Sequence, residues 1–271
     1  MSHKSKSPAP VASKASNVVK KDNSQYIHQE PKINFKLSIR EKHQHTDKQK
    51  VILEKMLDKD TKIICIDGIW GSSKTYLSVL AALKLLNDGH TRKIYYIRSP
   101  CESSDTAKIG ILPGTLQERL AGYDAVLFEK LEEFLPGGQV NKLIADGYIE
   151  FIPPGFLRGR NFTNSTLICD ESSNFSLQDI YLISSRMGER TRAFLVGDSF
   201  QNDIGNRSGF KRFFNMINDE ESREQGCFCY EMRNKEDILR SGFIRFLMEK
   251  TGVIKGIDNV SSKGEWQPKG K

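Results

Sequence analysis

Short apolar runs alternate with longer amphipathic stretches through the middle of the chain, between about residues 46 and 254. The runs are typical of strands buried on both faces, and they predict strands at 62–67, 93–97, 148–152, 165–169, 192–196 and 227–231. The stretches between them carry apolar residues at helical spacing and predict helices over 47–57, 75–86, 114–134, 176–187, 207–217 and 235–250. This alternation predicts an α/β fold with a mostly parallel sheet flanked by helices on both faces.

The first predicted strand runs into a turn that is rich in glycine and serine. Its candidate phosphate-binding residues are Gly68, Ile69, Trp70, Gly71, Ser72, Ser73, Lys74 and Thr75. Amides at the start of the following helix would wrap a phosphate, Lys74 would reach the outer phosphates, and the Thr75 hydroxyl would hold Mg²⁺. The spacing GxxxxxKT fits a P-loop, with Ser73 in place of the glycine that usually precedes the lysine. On this motif alone, a chance Gly/Ser turn is the alternative.

Two adjacent carboxylates, Asp170 and Glu171, follow the apolar strand predicted at 165–169. Ligands bind at the carboxyl ends of strands in an open parallel sheet, so this pair and the phosphate-binding turn are expected to converge. Asp170 would bind Mg²⁺ through water, and Glu171 would polarise the attacking water as a general base. The alternative is a helix start, where acidic residues are favoured without any catalytic role.

A third strand, predicted at 192–196, ends in the polar segment 197–203. Gln201 or Asp198 in this segment could sense a γ-phosphate and relay its loss to another surface. A polar loop without such a role would have a similar sequence, so the motif by itself leaves both interpretations open.

The composition argues against a membrane-spanning or a secreted protein. No run approaches the length of a membrane-spanning helix, and the first residues lack the apolar segment of a secretory signal. We therefore expect a cytoplasmic protein with no membrane partner. The net charge of +7 favours an acidic partner such as nucleic acid. Part of the excess lies in a basic, largely disordered arm predicted over 1–45, and a flexible tail is predicted over 256–271.

Taken with the segments between them, these three strand-end motifs resemble the PhoH family of P-loop ATPases, which is related to the RecA-like cores of superfamily 1 helicases. The resemblance covers roughly residues 46–250. The segments that carry it, beyond the phosphate loop, are Ile97-Arg98-Ser99-Pro100 with Glu102, 109–118, 156–161, 170–174, 197–203 with Ser208-Gly209, and 236–241. Several spaced motifs in the family's order are far more specific than any single one.

The resemblance implies a RecA-like P-loop NTPase domain, predicted over 46–255, that binds ATP and Mg²⁺ and hydrolyses ATP. It also implies a ring-shaped homo-oligomer, for example a hexamer, that acts on RNA or single-stranded nucleic acid. Within the family, the chain resembles the stand-alone members found in phages, which would place it in the cytoplasm of a bacterial host. Gln49 is similar in position to a glutamine that reads adenine in related helicases. An ordinary surface glutamine is the equally compatible alternative.

Several arginines are candidates for further roles. ATP hydrolysis benefits from an arginine finger, which a lone ATPase domain often takes from a neighbouring subunit; Arg186 or Arg240 is the candidate here. Arg158 and Arg160 beside Gly159 would suit a nucleic-acid or intersubunit surface. For each of them, a solvated or carboxylate-paired side chain is the alternative. A nucleotide-regulated scaffold or nucleic-acid-binding protein, in which Ser73 weakens catalysis, is the second functional hypothesis.

Overall fold

The computed structural model describes residues 33–99, 127–238 and 242–250. Its strands are β1 (Ile63–Gly68), β2 (Lys93–Arg98), β3 (Ile149–Ile152), β4 (Ser165–Asp170), β5 (Arg192–Gly197) and β6 (Cys227–Met232). Its helices are α1 (Asp47–Leu57), α2 (Lys74–Asn87), α3 (Gly137–Ala145), α4 (Leu177–Ser185), α5 (Phe210–Met216), α6 (Glu220–Glu224) and α7 (Gly242–Lys250). Residues 127–132 are also helical.

The strands form one parallel sheet in the order β3-β2-β4-β5-β1-β6. After β1 the chain passes over two intervening strands before it enters the sheet again as β2, so β5 and β4 lie between these two strands. Because every pair is parallel, the carboxyl ends of all the strands lie along one edge of the sheet. The arrangement confirms the predicted α/β class and corresponds to a RecA-like P-loop NTPase.

Alternate residues of each strand enter the cores on the two faces of the sheet. Ile64 and Ile66 of β1 pack in the cluster that contains the buried residues of α1, α2 and α3. Cys65 of the same strand packs in the cluster that contains α4 and α5. The period-two alternation of side chains along a strand explains this division. Helices therefore cover both faces, and the central strands β4 and β5 are buried at every position.

The predicted strands agree closely with the observed ones, but some helices differ. Neither α3 nor α6 was expected from the sequence. The start of α3 reads as a loop because Gly137 and Gly138 follow a proline, and α6 is short, has no buried residue, and depends on Asp219, which accepts a hydrogen bond from the Ser222 N–H (2.7 Å). The helix predicted over 235–250 is divided into a 3-10 turn (Lys235–Asp237) and α7. Of the helix predicted over 114–134, residues 114–126 lie outside the described residues.

Residues 33–45 fall within the arm predicted to be largely disordered, yet they pack against the folded part. Leu37 is buried, and its N–H donates to Asn87 Oδ1 at the end of α2 (2.8 Å). Glu41 forms an ion pair with Lys84 of α2 (2.6 Å). The sequence does carry a sign of this packing, because apolar residues alternate with polar ones over 33–39 and the apolar ones, Ile33, Phe35, Leu37 and Ile39, lie in or against the core. The prediction of a disordered arm overlooked this period-two pattern.

None of the helices in the described ranges combines the length and the apolar character required to cross a bilayer.

Candidate functional site

The turn between β1 and α2 lies at the carboxyl edge of the sheet, and close packing fixes its first glycine. A Cβ on Gly68 would come within 2.8 Å of Met232 in the neighbouring strand and 2.9 Å of Ser72 Oγ. Gly71 has φ +83°, a backbone conformation that is unfavourable for residues with a Cβ. The two glycines therefore let the chain reverse tightly enough for several backbone amides to face one ligand.

Ser73 lies in the left-handed region, with φ 63° and ψ 24°, immediately before the first residue of α2. This conformation is favourable for glycine and costs free energy for any residue with a Cβ. The geometry explains why the P-loop pattern has glycine at this position. Ser73 therefore introduces strain at the point where a phosphate would approach the backbone.

The side chain of Lys74 lies back over the turn. Its Nζ donates to the carbonyl oxygens of Gly68 (2.7 Å) and Ile69 (2.8 Å). Burial lowers the pKa of Lys74, and the carboxylates of Asp198 and Asp170 oppose this effect. A cation held at this position can exchange the two carbonyl contacts for phosphate oxygens, which are stronger acceptors.

Thr75 and Asp170 meet across the two strand ends, as the sequence motifs require. The Thr75 hydroxyl donates to Asp170 Oδ1 (2.7 Å), and the buried Tyr96 hydroxyl of β2 donates to Asp170 Oδ2. Hydroxyl and carboxylate oxygens are the hard ligands that Mg²⁺ prefers. No group of three or more His, Cys, Asp or Glu side chains suited to a metal occurs in the described part of the chain. These two residues therefore suit a Mg²⁺ ion that takes its other ligands from phosphate and water.

Glu171 follows Asp170 but faces a different neighbour. Its Oε1 accepts a hydrogen bond from Arg98 Nη2 at the end of β2 (2.5 Å), and its backbone is left-handed, with φ 49°. Burial raises the pKa of Glu171, and the ion pair with Arg98 offsets part of this rise. A carboxylate with a raised pKa has the greater proton affinity that a general base needs.

The segment after β5 lies beside these carboxylates. Asp198 accepts hydrogen bonds from the N–H groups of Phe200 (3.1 Å) and Gln201 (2.9 Å), through its side chain and its carbonyl respectively. Asn174 and Asp203 exchange two hydrogen bonds, of 3.0 and 2.8 Å, which tie the segment after β4 to the segment after β5. Gln201 is exposed on the same side and keeps its side chain available for a ligand.

A buried charge network beneath these loops was not predicted. Asp67, fully buried in β1, forms ion pairs with Arg233, which follows β6, and with Lys211 Nζ of α5 (2.9 Å). Arg233 also pairs with Asp198 (3.3 Å) and donates to Ser199 Oγ (2.7 Å). Burial alone would raise the pKa of Asp67, but the two cations outweigh it and lower that pKa. The network joins the carboxyl ends of β1, β5 and β6.

One cleft of about 810 Å³ contains most of the predicted site. The predicted residues that line it are Trp70, Gly71, Ser73, Lys74, Thr75, Asp170, Glu171, Asp198 and Gln201. The wall beyond Thr75 is extended by four residues that belong to no recognisable sequence motif: His43, Tyr76, Lys130 and Glu133. Three loops that are distant in sequence thus share one cavity at the carboxyl edge of the sheet.

Comparison with known proteins gives this arrangement a family. A sequence model of the PhoH-like protein family matches residues 42–250, which is most of the chain. The chain belongs to the PhoH-like protein family. The matched region of this family member begins shortly before α1 and ends with α7, so it includes every element around the cleft.

Comparison with individual proteins leads to the same family. The chain is similar to a PhoH-like protein of Synechocystis, with 28% identity over 197 residues that are 72% of this chain and 58% of the relative. It is 32% identical to a PhoH-like protein of Bacillus subtilis over 144 residues (52% and 44% of the two chains), and 28% identical to one of Mycobacterium tuberculosis over 165 residues (60% and 46%). The chain thus spans about half the length of the curated relatives that it matches.

Other predicted residues of this PhoH-like chain do not line the cleft. Gln49 is fully buried in α1, where its Oε1 accepts from the Thr46 N–H (3.1 Å); its Nε2 has no hydrogen-bond partner among the described residues. It is therefore not the surface glutamine of the alternative interpretation. Arg186 follows α4 beside Phe162, near the amino ends of the strands and opposite the cleft. Its role as a finger toward a neighbouring subunit stays a prediction.

The remaining arginines differ in their surroundings. Arg160 is paired with Glu150 of β3 (2.7 Å), which agrees with the carboxylate-paired alternative. Arg158 is exposed. Arg240 lies outside the described residues. A nucleic-acid role for Arg158 and Arg160 stays a prediction.

Proposed function

We propose that this protein is a Mg²⁺-dependent ATPase. The observation that supports this best is the convergence of Lys74, the Thr75–Asp170 pair and Glu171 on one cleft. A lysine for the outer phosphates, a metal-binding pair and a carboxylate of raised proton affinity are the parts that phosphoryl transfer to water requires. The P-loop fold that the family shares supports nucleotide binding by the same turn.

In the proposed reaction, backbone amides of the turn and Lys74 hold the β- and γ-phosphates. Thr75 and Asp170 would hold Mg²⁺, which neutralises phosphate charge when it is bound. Glu171 accepts a proton from a water molecule as the water oxygen attacks the γ-phosphorus, and the bond to the β-γ bridging oxygen breaks to release ADP. Gln201, exposed on the cleft wall, would contact the γ-phosphate and respond to its loss.

Steady-state phosphate release tests the assignment of the base. Glu171→Gln should bind ATP with nearly the wild-type affinity and hydrolyse it at least about 10²-fold more slowly, because the amide cannot accept the proton. Asp146→Asn, at the exposed end of α3, is the matched control and should retain the wild-type rate. Normal turnover by Glu171→Gln would show that another group is the base.

The same proposal extends to a ring oligomer and to RNA or single-stranded nucleic acid. Among the described residues that line the cleft there is no arginine. An arginine finger accelerates hydrolysis by about 10³ to 10⁵. If a neighbouring subunit supplies that arginine, the oligomer is the active form of the enzyme. The net charge of +7 and the exposed Arg158 favour a polyanionic partner. Mass measurement in solution, with and without ATP and RNA, tests both extensions.

A second candidate function, a nucleotide-regulated scaffold with weak catalysis, has one specific observation in its favour. Ser73 occupies a left-handed position at the phosphate site. If strain there blocks the chemistry, ATP would stabilise assembly without being consumed. ATP binding without phosphate release, in the presence of RNA as well as in its absence, would support the scaffold over the ATPase.

A further inference from the structure

The carboxylate of Glu171 contacts β2 rather than the phosphate loop. Arg98, which ends β2, is aligned with Asp170 in the register of β2 and β4, and its Nη2 lies 2.5 Å from Glu171 Oε1. In the sheet, β2 lies on one side of β4, whereas β5 and then β1 lie on the other. The ion pair therefore holds the proposed base toward the side of β4 that is away from the phosphate loop.

The backbone of Glu171 is consistent with a held position. Its φ of 49° is disfavoured for a residue with a Cβ, so surrounding contacts must maintain it. Two such contacts are the ion pair with Arg98 and the hydrogen bond from the Asn174 N–H to the Glu171 carbonyl (2.9 Å). Loss of the ion pair would remove one of the restraints on this side chain.

The pair is accessible enough to be exchanged for another. The side chain of Arg98 is 22% exposed and that of Glu171 is 44% exposed. Ion pairs that reach solvent are weak, and an incoming anion can replace one of the partners. A phosphate diester is well suited, because a planar guanidinium binds its two free oxygens through paired hydrogen bonds. Arg98 would keep an anionic partner throughout such an exchange.

We propose that Arg98 is a positioning residue that holds Glu171 away from the phosphate loop until a phosphate of single-stranded nucleic acid binds Arg98 and releases Glu171. The proposal rests on the proposed ATPase function and adds to it the means by which nucleic acid would stimulate hydrolysis. Removal of Arg98 should accelerate ATP hydrolysis in the absence of nucleic acid, whereas removal of an arginine that assists the chemistry directly would slow it.

The test compares phosphate release by wild type, Arg98→Gln and Arg98→Met, with and without an oligouridylate RNA. Both neutral variants should hydrolyse ATP about fivefold faster than wild type without RNA, the factor that a partly exposed ion pair supports. Their stimulation by RNA should fall close to onefold, their affinity for ATP should be unchanged, and their RNA affinity by fluorescence anisotropy should be weaker. Arg98→Lys, which keeps the charge, should retain a low rate without RNA and a measurable stimulation.

Lys84→Met provides the matched control. Lys84 forms an ion pair of similar length and exposure with Glu41 (2.6 Å; 28% and 37% exposed), and neither residue lines the cleft. This variant should show the wild-type rate and the wild-type stimulation. An equal acceleration in Lys84→Met would mean that the response reflects general loosening of the fold, which would overturn the proposal.

Other results would also overturn it. A slower RNA-free rate in the neutral Arg98 variants would assign Arg98 a direct catalytic role, and a wild-type enzyme that RNA does not stimulate would remove the nucleic-acid partner. A wild-type protein that hydrolyses ATP while the Arg98 variants are no faster contradicts only the role of Arg98. A wild-type protein that neither binds nor hydrolyses ATP contradicts the proposed function.

Discussion

Ser73 is the residue at which this chain departs most clearly from the P-loop pattern, and its conformation gives a testable consequence. A residue with a Cβ in the left-handed conformation destabilises the folded state by about 1–2 kcal/mol. Glycine avoids this strain but loses more conformational entropy on folding, which offsets about 0.5–1 kcal/mol of the gain. Ser73→Gly should therefore raise the free energy of unfolding by about 0.5–1 kcal/mol in urea titrations. It should also tighten ATP binding, because the backbone can approach the phosphates more closely.

A serine in a helix supplies the opposite case. Ser185 lies in the last turn of α4, where glycine is less favourable than serine by about 0.5 kcal/mol. Ser185→Gly should thus lower the free energy of unfolding. A fall in stability for both variants would show that strain at Ser73 is not a significant term.

Single residues also show what the sequence could and could not reveal about the site. That Lys74, Thr75 and Asp170 line one cleft was predictable, because each is defined by its place relative to a buried strand. The buried partners Asp67 and Arg233 were not, because they are 166 positions apart and neither belongs to a local motif. Tyr96 was hidden in the same way, as an ordinary strand residue whose hydroxyl contacts Asp170.

Arg233 lies at the centre of the buried charge network that joins the elements around the cleft. Arg233 is 7% exposed and contacts groups from β1 and from the segment after β5, so its removal leaves Asp67 and Asp198 with less compensation for burial. Removal of one partner from a buried ion pair typically costs about 3–5 kcal/mol. Arg233→Met should lower the free energy of unfolding by about that amount in urea titrations.

Arg223 provides the comparison for this prediction. It is exposed on the surface helix α6 and donates a long hydrogen bond to Asn218 (3.4 Å). Arg223→Met should change the free energy of unfolding by less than about 0.5 kcal/mol. A loss for Arg233→Met that is no larger would indicate that the network is held by Lys211 alone.

At the scale of elements, burial decided what could be predicted. The strands are apolar on both faces and stand out from the sequence, so β1 was expected at 62–67 and lies at Ile63–Gly68. The order of the strands was not predictable, because it depends on which parallel partners the crossovers bring together. The short helices α3 and α6 were missed because few or none of their residues enter the core.

The whole molecule depends on a segment that precedes the first helix. Leu37 is 4% exposed in the core that contains α2, although the segment around it has no regular structure. Replacement of a buried leucine by alanine costs about 2–5 kcal/mol, with the lower end expected near the margin of a core. Leu37→Ala should accordingly lower the free energy of unfolding by about 2–3 kcal/mol in urea titrations.

Ile144, which is 40% exposed on α3, is the control for this truncation of an aliphatic side chain. Ile144→Ala should cost less than about 1 kcal/mol, because little apolar area is withdrawn from the interior. Equal effects at the two positions would show that residues 33–45 contribute nothing specific to the stability of the fold.

Isothermal titration calorimetry with ATP and Mg²⁺, on wild type and on Lys74→Ala, examines the claim on which the proposed reaction depends. Wild-type protein should bind ATP at one site per chain, and Lys74→Ala should bind at least about tenfold more weakly because a charge-assisted contact to the phosphates is lost. No binding by folded wild-type protein, or equal affinity in the two proteins, would contradict the assignment of this cleft to a nucleoside triphosphate.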